Sequence, residues 1–305
     1  MDGQQLRGAV LDLCDDRNSA AEAYKKRKIY ECLDHAASIF CRETRYYKSS
    51  ATLTTVEGQQ DYTLPADFID LYMKRSDRYF VRYYDGTDYS FPRLTPWPEL
   101  FVANLTDRQS VPARVAIRDV ETATVAVTGT ATAPAGAKSS DGLAVLTDSA
   151  QTFLTTHRVW PRDGIHNETD GSSGYVIEVT GATSLKCALF NGSNDDWTIG
   201  DAYTIVPNAE KQLTLDAPAL TAGHLIAVPF IAMPDPVYSD HASWRLPARI
   251  CLGIAAGAAA LLQLPEHSYQ ETQWMNGQFR EEIFRTKQEI AQTVLKSGNG
   301  GRRGW

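Results

Sequence analysis

Apolar residues recur at helical spacing at Ile29, Leu33, Ala36, Ala37 and Phe40, which predicts an amphipathic helix from a cap at Ser19 to about Tyr46. A shorter helix over Leu6 to Leu13 precedes it. From Ala51 the period falls to two. Thr52, Thr54 and Val56 lead into a Glu57-Gly58 turn and a Tyr62-x-Leu64 strand that Pro65 ends. Pro92, Pro96, Pro98 and Pro112 then divide residues 50 to 120 into short strands and turns. Residues 122–207 are rich in Thr, Gly, Ser, Ala and Asp, with turn signals at Val127, Asp141, Asp170 and Asn191. They read as an inserted all-β module. Alternation returns in KQLTLDAPAL and GHLIAVPFIAMPDP, where Pro229 argues for an edge strand.

From Ser243 the pattern is helical again. Ile250 to Leu264 is apolar almost all round, which predicts burial on every side. Gly253 and Gly257, four apart, would admit a second helix at close range. After a break at Leu264-Pro265-Glu266, Met275, Phe279, Ile283, Ile290 and Val294 fall on one face of a final helix. The two helices should form a hairpin packed on the Ser19 helix. The expected class is therefore α+β: a helical bundle (N-terminal helix plus C-terminal helix hairpin), a β-strand region and an inserted all-β domain. The expected boundaries are a discontinuous core over 1–121 and 208–295, the insert over 122–207, and a flexible tail over 296–305.

Charge sharpens this picture. With 305 residues, 43% apolar and 22% charged, the composition is that of a globular chain. Thirty Lys and Arg against 37 Asp and Glu give a net charge of −7, which excludes a generic nucleic-acid binder. The charge is uneven. The insert holds four Lys/Arg and nine Asp/Glu, whereas Ser19 to Lys48 holds seven Lys/Arg and four Asp/Glu, a face expected to be solvated. The tail KSGNGGRRGW carries Lys296, Arg302 and Arg303 with no acid, and ends in Trp305. It has no core-forming pattern, so it reads either as a disordered end or as a partner-binding peptide.

Catalytic signals are missing from the sequence. Cys14, Cys32, Cys41, Cys187 and Cys251 contain no C-x-x-C pair, and are expected to be reduced structural thiols of a cytosolic, signal-free chain. The longest apolar run is short of the ~18–20 residues that span a bilayer. There is no phosphate-binding Gly loop, no G-x-S-x-G and no H-E-x-x-H. The six histidines are never at ligand spacing, and neither Asp15-Asp16 nor Asp195-Asp196 with Asn191 and Asn194 follows the alternating calcium-loop pattern. No enzyme activity, catalytic residue, metal or cofactor is expected. Tyr79, Phe80, Tyr83, Tyr84 and Tyr89 with Arg78 and Arg82 could stack nucleobases, but sheet packing is favoured because Asp77, Asp85 and Asp88 share the stretch.

Five segments, in order, carry a resemblance: AASIFCRETRYYK (Ala36 to Lys48), VEGQQDYTLPADFIDLYMKRS (Val56 to Ser76), LTPWPEL (Leu94 to Leu100), LTLDAPALTAGHLIAVPFIAMPDPV (Leu213 to Val237) and WRLPARICLGIAAGAAALL (Trp244 to Leu262). Together they resemble the head-to-tail adaptor (connector) proteins of tailed bacteriophages. The insert is similar to a β module of phage virion proteins, through LTDSAQTF (Leu146 to Phe153), NETDGSSG (Asn167 to Gly174) and GDAYTI (Gly200 to Ile205). The resemblance implies a structural virion protein made in the host cytoplasm and sited at the head-to-tail junction. There a homo-oligomeric, dodecameric ring docks on the portal protein, meets a tail or nozzle protein and extends the DNA channel without sequence-specific contact or a membrane. Lys296, Arg302, Arg303 and Trp305 become the portal-docking residues, and Gly253, Gly257, Met275, Phe279 and Ile283 the helix-packing and oligomer residues. The alternative is a carbohydrate- or receptor-binding tail component using the insert, with Trp160 and Trp197 as candidate aromatics.

Overall fold

The computed structural model describes residues 1–14, 22–74, 78–79, 81–103, 111–120, 126–133, 139, 141–154, 159–207, 210–263 and 269–299. In chain order, α1 (Gly3–Leu13) and α2 (Glu22–Thr44) precede eight short strands: β1 (Lys48–Thr54), β2 (Asp61–Thr63), β3 (Phe68–Leu71), β4 (Met73–Lys74), β5 (Arg78–Tyr79), β6 (Arg82–Tyr84), β7 (Tyr89–Ser90) and β8 (Arg93–Leu94). Next come α3 (Trp97–Ala103), β9 (Arg114–Val120), β10 (Val127–Thr130), β11 (Ala144–Thr147), β12 (Gly164–Asn167), β13 (Ser173–Gly181), β14 (Ser184–Phe190) and β15 (Ala202–Val206). The chain closes with β16 (Glu210–Leu215), β17 (Leu225–Ala232), α4 (Ala248–Gln263) and α5 (Tyr269–Asn299). The protein is mixed α+β, with five helices among the described residues.

Contacts divide the chain into two compact units. The first combines Met1–Tyr46, Thr124–Asn208 and Pro234–Trp305. The second combines Tyr47–Ala123 and Ala209–Met233. This division differs from the expected core-plus-insert boundaries, because the inserted strands group with the helices.

In the first unit, α1 starts with a capping box: Gln5 N donates to Asp2 Oδ1 at 2.8 Å and the Gln5 side chain accepts from Asp2 N. Helix α2 buries Ile29, Tyr30, Leu33, Ala36, Ala37 and Phe40, the expected stripe with Tyr30 added. Helix α4 packs on α1, α2 and α5. Strands β10 to β15 form one antiparallel sheet in the order β10-β15-β12-β13-β14-β11. It curls until Thr132 N, just past β10, donates to Thr147 O on β11 at 2.8 Å. Its core includes Leu146, Phe153, Val176, Trp197, Tyr203 and Ile205, all from the insert.

The charged face of α2 meets this sheet. Arg162 forks onto Asp34 at 3.0 and 3.1 Å and also donates to Pro234 O at 2.8 Å. Arg27 donates to Ser173 Oγ, and Tyr175 donates its hydroxyl to Glu31. The expectation of a solvated face thus fails at Arg27, Glu31 and Asp34. Their charged groups find partners at Ser173 and Tyr175 on β13 and at Arg162 in the turn before β12.

The second unit contains a sheet β1-β17-β6-β7 with β3 also on β17, a sheet β2-β16-β9-β8 and the pair β4-β5. Tyr62, Phe68, Tyr83, Leu213, Val228 and Phe230 share its core. Three expectations are corrected here and in the insert. Pro229 lies on a central strand: β17 has β1 on one flank, and on the other pairs with β6 through Leu225 to Ala227 and with β3 through Phe230 to Ala232. Its missing N–H falls where the partner changes, and its carbonyl accepts from Tyr72 N at 3.0 Å. Residues 50 to 120 include a helix, α3, which tolerates Pro98 because the first-turn N–H groups need no intrahelical partner. Val127-Thr128-Gly129 is strand β10, where Gly129 leaves room for Asp148 and Tyr203.

The Arg162 and Asp34 side chains are only 15% and 13% exposed, so removing one strands the other's charge. Arg162→Ala should cost about 3–5 kcal/mol, while the double Arg162→Leu, Asp34→Leu variant recovers most of that loss. Thermal unfolding of both variants checks this.

Candidate functional site

The residues expected to mediate packing and docking lie on α4, α5 and the chain beyond. A Cβ at Gly253 would sit 2.6 and 2.8 Å from Cγ and Cβ of Glu282, and one at Gly257 would sit 2.9 Å from two ring carbons of Phe279. Both glycines therefore do what their spacing predicted: they bring α5 against the α4 backbone. Met275 and Phe279 are buried, whereas Ile283 is half-buried on the flank. The stripe that faces inward is Met275, Phe279, Glu282 and Thr286. Ile283 and Ile290, expected to continue the stripe, are half-buried beside it, and the side chain of Val294 lies outside the described residues. The 4-3-4 spacing of the true stripe was legible, but a glutamate and a threonine hid it.

Glu282 is 6% exposed and needs a partner. Arg249, in the first turns of α4, supplies it with Nε 2.9 Å from Glu282 Oε1. The same guanidinium forks onto Glu289 at 2.6 and 2.8 Å. Hydrogen bonding to Glu289 is the main cause that raises the Arg249 pKa, and it holds the Glu289 carboxyl below its ordinary 4.5. Lys287 donates to Glu43 of α2 at 2.7 Å and likewise lowers that carboxyl. Arg249, Glu282 and Thr286 are thus residues that sequence reasoning missed.

Helix α4 is not buried on every side. Leu252 is 50% exposed and Trp274 of α5 is 57% exposed, and both line a groove of about 490 Å³ with Ala9 and Leu13 of α1. The groove also takes in Arg249 and Arg285 together with Asp12 and Glu282, so it is apolar with charges of both signs at its margin. This is a surface suited to another protein chain. Lys296 belongs to the last turn of α5, since the helix runs to Asn299 and propagation extends it past the expected tail boundary. Arg302, Arg303 and Trp305, like the expected Ser19 cap, lie outside the described residues.

Of the remaining aromatic candidates, Trp197 and Tyr83 are core residues, while Phe80 lies outside the described residues. Trp197 is 1% exposed and donates its indole N–H to Cys187 Sγ at 3.1 Å, so it is a core residue of the insert. Tyr83 is buried, and Tyr84 stacks on Tyr89 with centroids 4.7 Å apart. Burial pushes the Cys41 and Cys187 thiols up to about 12, which disfavours a thiolate nucleophile. Asp240 is satisfied by Tyr30 Oη at 2.6 Å, Lys26 at 2.9 Å and Arg7 at 3.3 Å. Burial alone would raise its pKa, but the Tyr30 and Lys26 hydrogen bonds outweigh that and lower it. Among the described residues no three His, Cys, Asp or Glu side chains converge, and no helix is long and apolar enough to cross a membrane. The chain matches no protein-family model and no curated protein.

Gly257→Ala should destabilise by about 1–3 kcal/mol through overpacking against Phe279. Gly277→Ala, where nothing lies within 4 Å of the added Cβ, should instead stabilise by about 0.5–1 kcal/mol. Urea unfolding distinguishes the two. Because the folded-state Glu289 and Glu43 pKa values are lowered, their contribution is present above the ordinary 4.5 and lost as pH falls below it. The melting temperature of the wild type should therefore drop more steeply below that pH than that of Arg249→Ala.

Proposed function

We propose that the protein is a structural virion component that forms a ring adaptor between the portal and the tail and extends the DNA channel. In this reading α1, α2, α4 and α5 make the adaptor's helical bundle, the strands of the second unit belong to the same adaptor core, and residues 122–207 are an inserted all-β domain. The observation that carries the reading is the α1–α4–α5 groove, whose exposed Leu252 and Trp274 offer a protein contact on the helix pair that leads into the basic tail. The segments of resemblance support it further: they fall on the α2-to-β1 connection, β2 and β3, β8 into α3, β16 and β17, and α4.

The chemistry agrees with a non-enzymatic conduit. A net charge of −7 favours DNA sliding past rather than being gripped. Arg302, Arg303 and Trp305, with Lys296 at their helical base, dock on the portal, since Arg and Trp are common interface anchors. A second copy of the chain takes the groove in the dodecameric ring. The tail or nozzle protein binds opposite the portal, and assembly takes place in the host cytoplasm before the ring joins the virion. The carbohydrate-binding alternative loses one of its two candidate aromatics with Trp197 in the core.

Deleting Lys296 to Trp305 should leave the melting temperature unchanged and abolish binding to purified portal, as read by light scattering of the mixture. Unchanged portal binding would remove the tail from the proposal. Cryo-electron microscopy of the virion that places this chain away from the head-to-tail junction would overturn it.

A further inference from the structure

Strand β1 forms one edge of the β1-β17-β6-β7 sheet. Its seven residues pair with β17 in unbroken register, from Lys48 opposite Ile231 to Thr54 opposite Leu225. The ladder continues past both ends, where Ala232 N donates to Tyr47 O at 3.1 Å and Thr55 N donates to His224 O at 2.8 Å. Tyr47 and Thr55 therefore turn main-chain groups toward β17, and along an antiparallel strand that orientation alternates. Ser49, Ala51 and Leu53 follow them. Lys48, Ser50, Thr52 and Thr54 turn their N–H and C=O groups the other way, off the edge of the sheet. Pro229 fits this phase, because it lies opposite Ser50, where the ladder to β1 asks for no N–H.

Among the described residues nothing meets those outward groups: β1 pairs with β17 alone, and no other main-chain hydrogen bond reaches them. The strand is exposed except at Ala51 and Leu53, which lean on the core of the second unit. Open edges are normally blunted by brevity, proline, charge or a bulge. The other edges show such devices. Strands β2, β3, β7 and β8 are two to four residues long, and β10 and β11 close on each other through Thr132 and Thr147. From Ser49 to Thr54, β1 has no proline, no charge and no bulge.

We propose that β1 pairs antiparallel with β1 of a second copy of this chain, about a two-fold axis at Ala51. The edge is complementary to itself in this register. Ser50 meets Thr52 of the second copy and Lys48 meets its Thr54, so every outward N–H faces an outward carbonyl. Cross-strand Ser–Thr pairs are favourable, and Lys48 faces no like charge. At the axis two alanines meet, which leaves the strands free to reach hydrogen-bonding distance. The contact is isologous and does not by itself close a ring, so it is an interface separate from the groove and stands independently of the adaptor reading. Seven residues a side fall short of the ~20–30 of a stable complex, so the dimer is weak and depends on concentration.

The test is sedimentation and cross-linking of the full chain. Thr52→Pro removes an outward N–H and leaves the ladder to β17 intact, so it should weaken association by about tenfold or more, whereas Thr52→Ala should leave it unchanged. Ala51→Cys sets two thiols across the axis with Cα atoms about 4.5 Å apart, within disulfide reach, so diamide should convert that variant to a covalent dimer. Ser49→Cys should not cross-link, because its counterpart lies about 13 Å away along the strands. The wild type, treated alike, should stay monomeric on a denaturing gel. The cysteine pair decides the matter even where the proline variant fails to fold, and a ring built through another face would not form the 51–51 bond. Failure of Ala51→Cys to cross-link overturns the proposal. So does equal cross-linking of Ser49→Cys, or undiminished association of a folded Thr52→Pro.

Discussion

The first unit depends on a helix that has to satisfy two faces of opposite character. Helix α2 buries Leu33, Ala36, Ala37 and Phe40 on its apolar side, and on the other presents Arg27, Glu31 and Asp34 to the curled sheet. Asp34 sets the terms. A carboxylate only 13% exposed must be paired, and Arg162 reaches it in a fork while its third contact holds Pro234 O. One guanidinium therefore fixes α2, the turn before β12 and the start of the 234–246 segment together. Tyr30, Lys26 and Arg7 repeat the arrangement at Asp240, which ties α1 and α2 to that same segment. Polar contacts of this geometry specify one arrangement where an apolar surface would accept several.

The α4–α5 pair shows the same logic in a tighter space. Gly253 and Gly257 remove the side chains that would hold α5 away, so the helices meet at backbone distance. Close approach also buries Glu282, which would be costly without the Arg249 guanidinium beside it. Arg249 can serve Glu282 and Glu289 at once because its planar donors point in fixed directions, which a lysine could not match. The result is a rigid pair with one side left open at Leu252 and Trp274.

Inside the insert, the segments that carried the resemblance turn out to be held by buried polar residues. Asp148 accepts from Tyr203 Oη at 2.8 Å, and Asp201 accepts from Asn167 Nδ2 at 3.0 Å and Thr198 N at 2.8 Å. Each acid closes a turn that the apolar core alone would leave loose. These motifs therefore record how the sheet is built rather than what it binds.

The sequence by itself determined the elements whose signal is local. The α2 stripe, the Glu57-Gly58 and Asp170-Gly171 turns, the β character of residues 122–207 and the close-packing glycines of α4 all follow from periodicity, turn chemistry or the absence of a side chain. Tertiary structure alone decided the rest, because burial of a polar group depends on what stands opposite. Glu282 and Thr286 read as surface until Arg249 and the α4 backbone face them. Pro229 reads as an edge until the flank of β17 changes partner at that residue. Trp197 reads as a binding aromatic until the sheet curls around it. Spacing along one chain fixes which residues share a face, but the cost or benefit of burying that face is set by charges and hydrogen-bond donors arriving from more than a hundred residues away, as from Asp34 to Arg162.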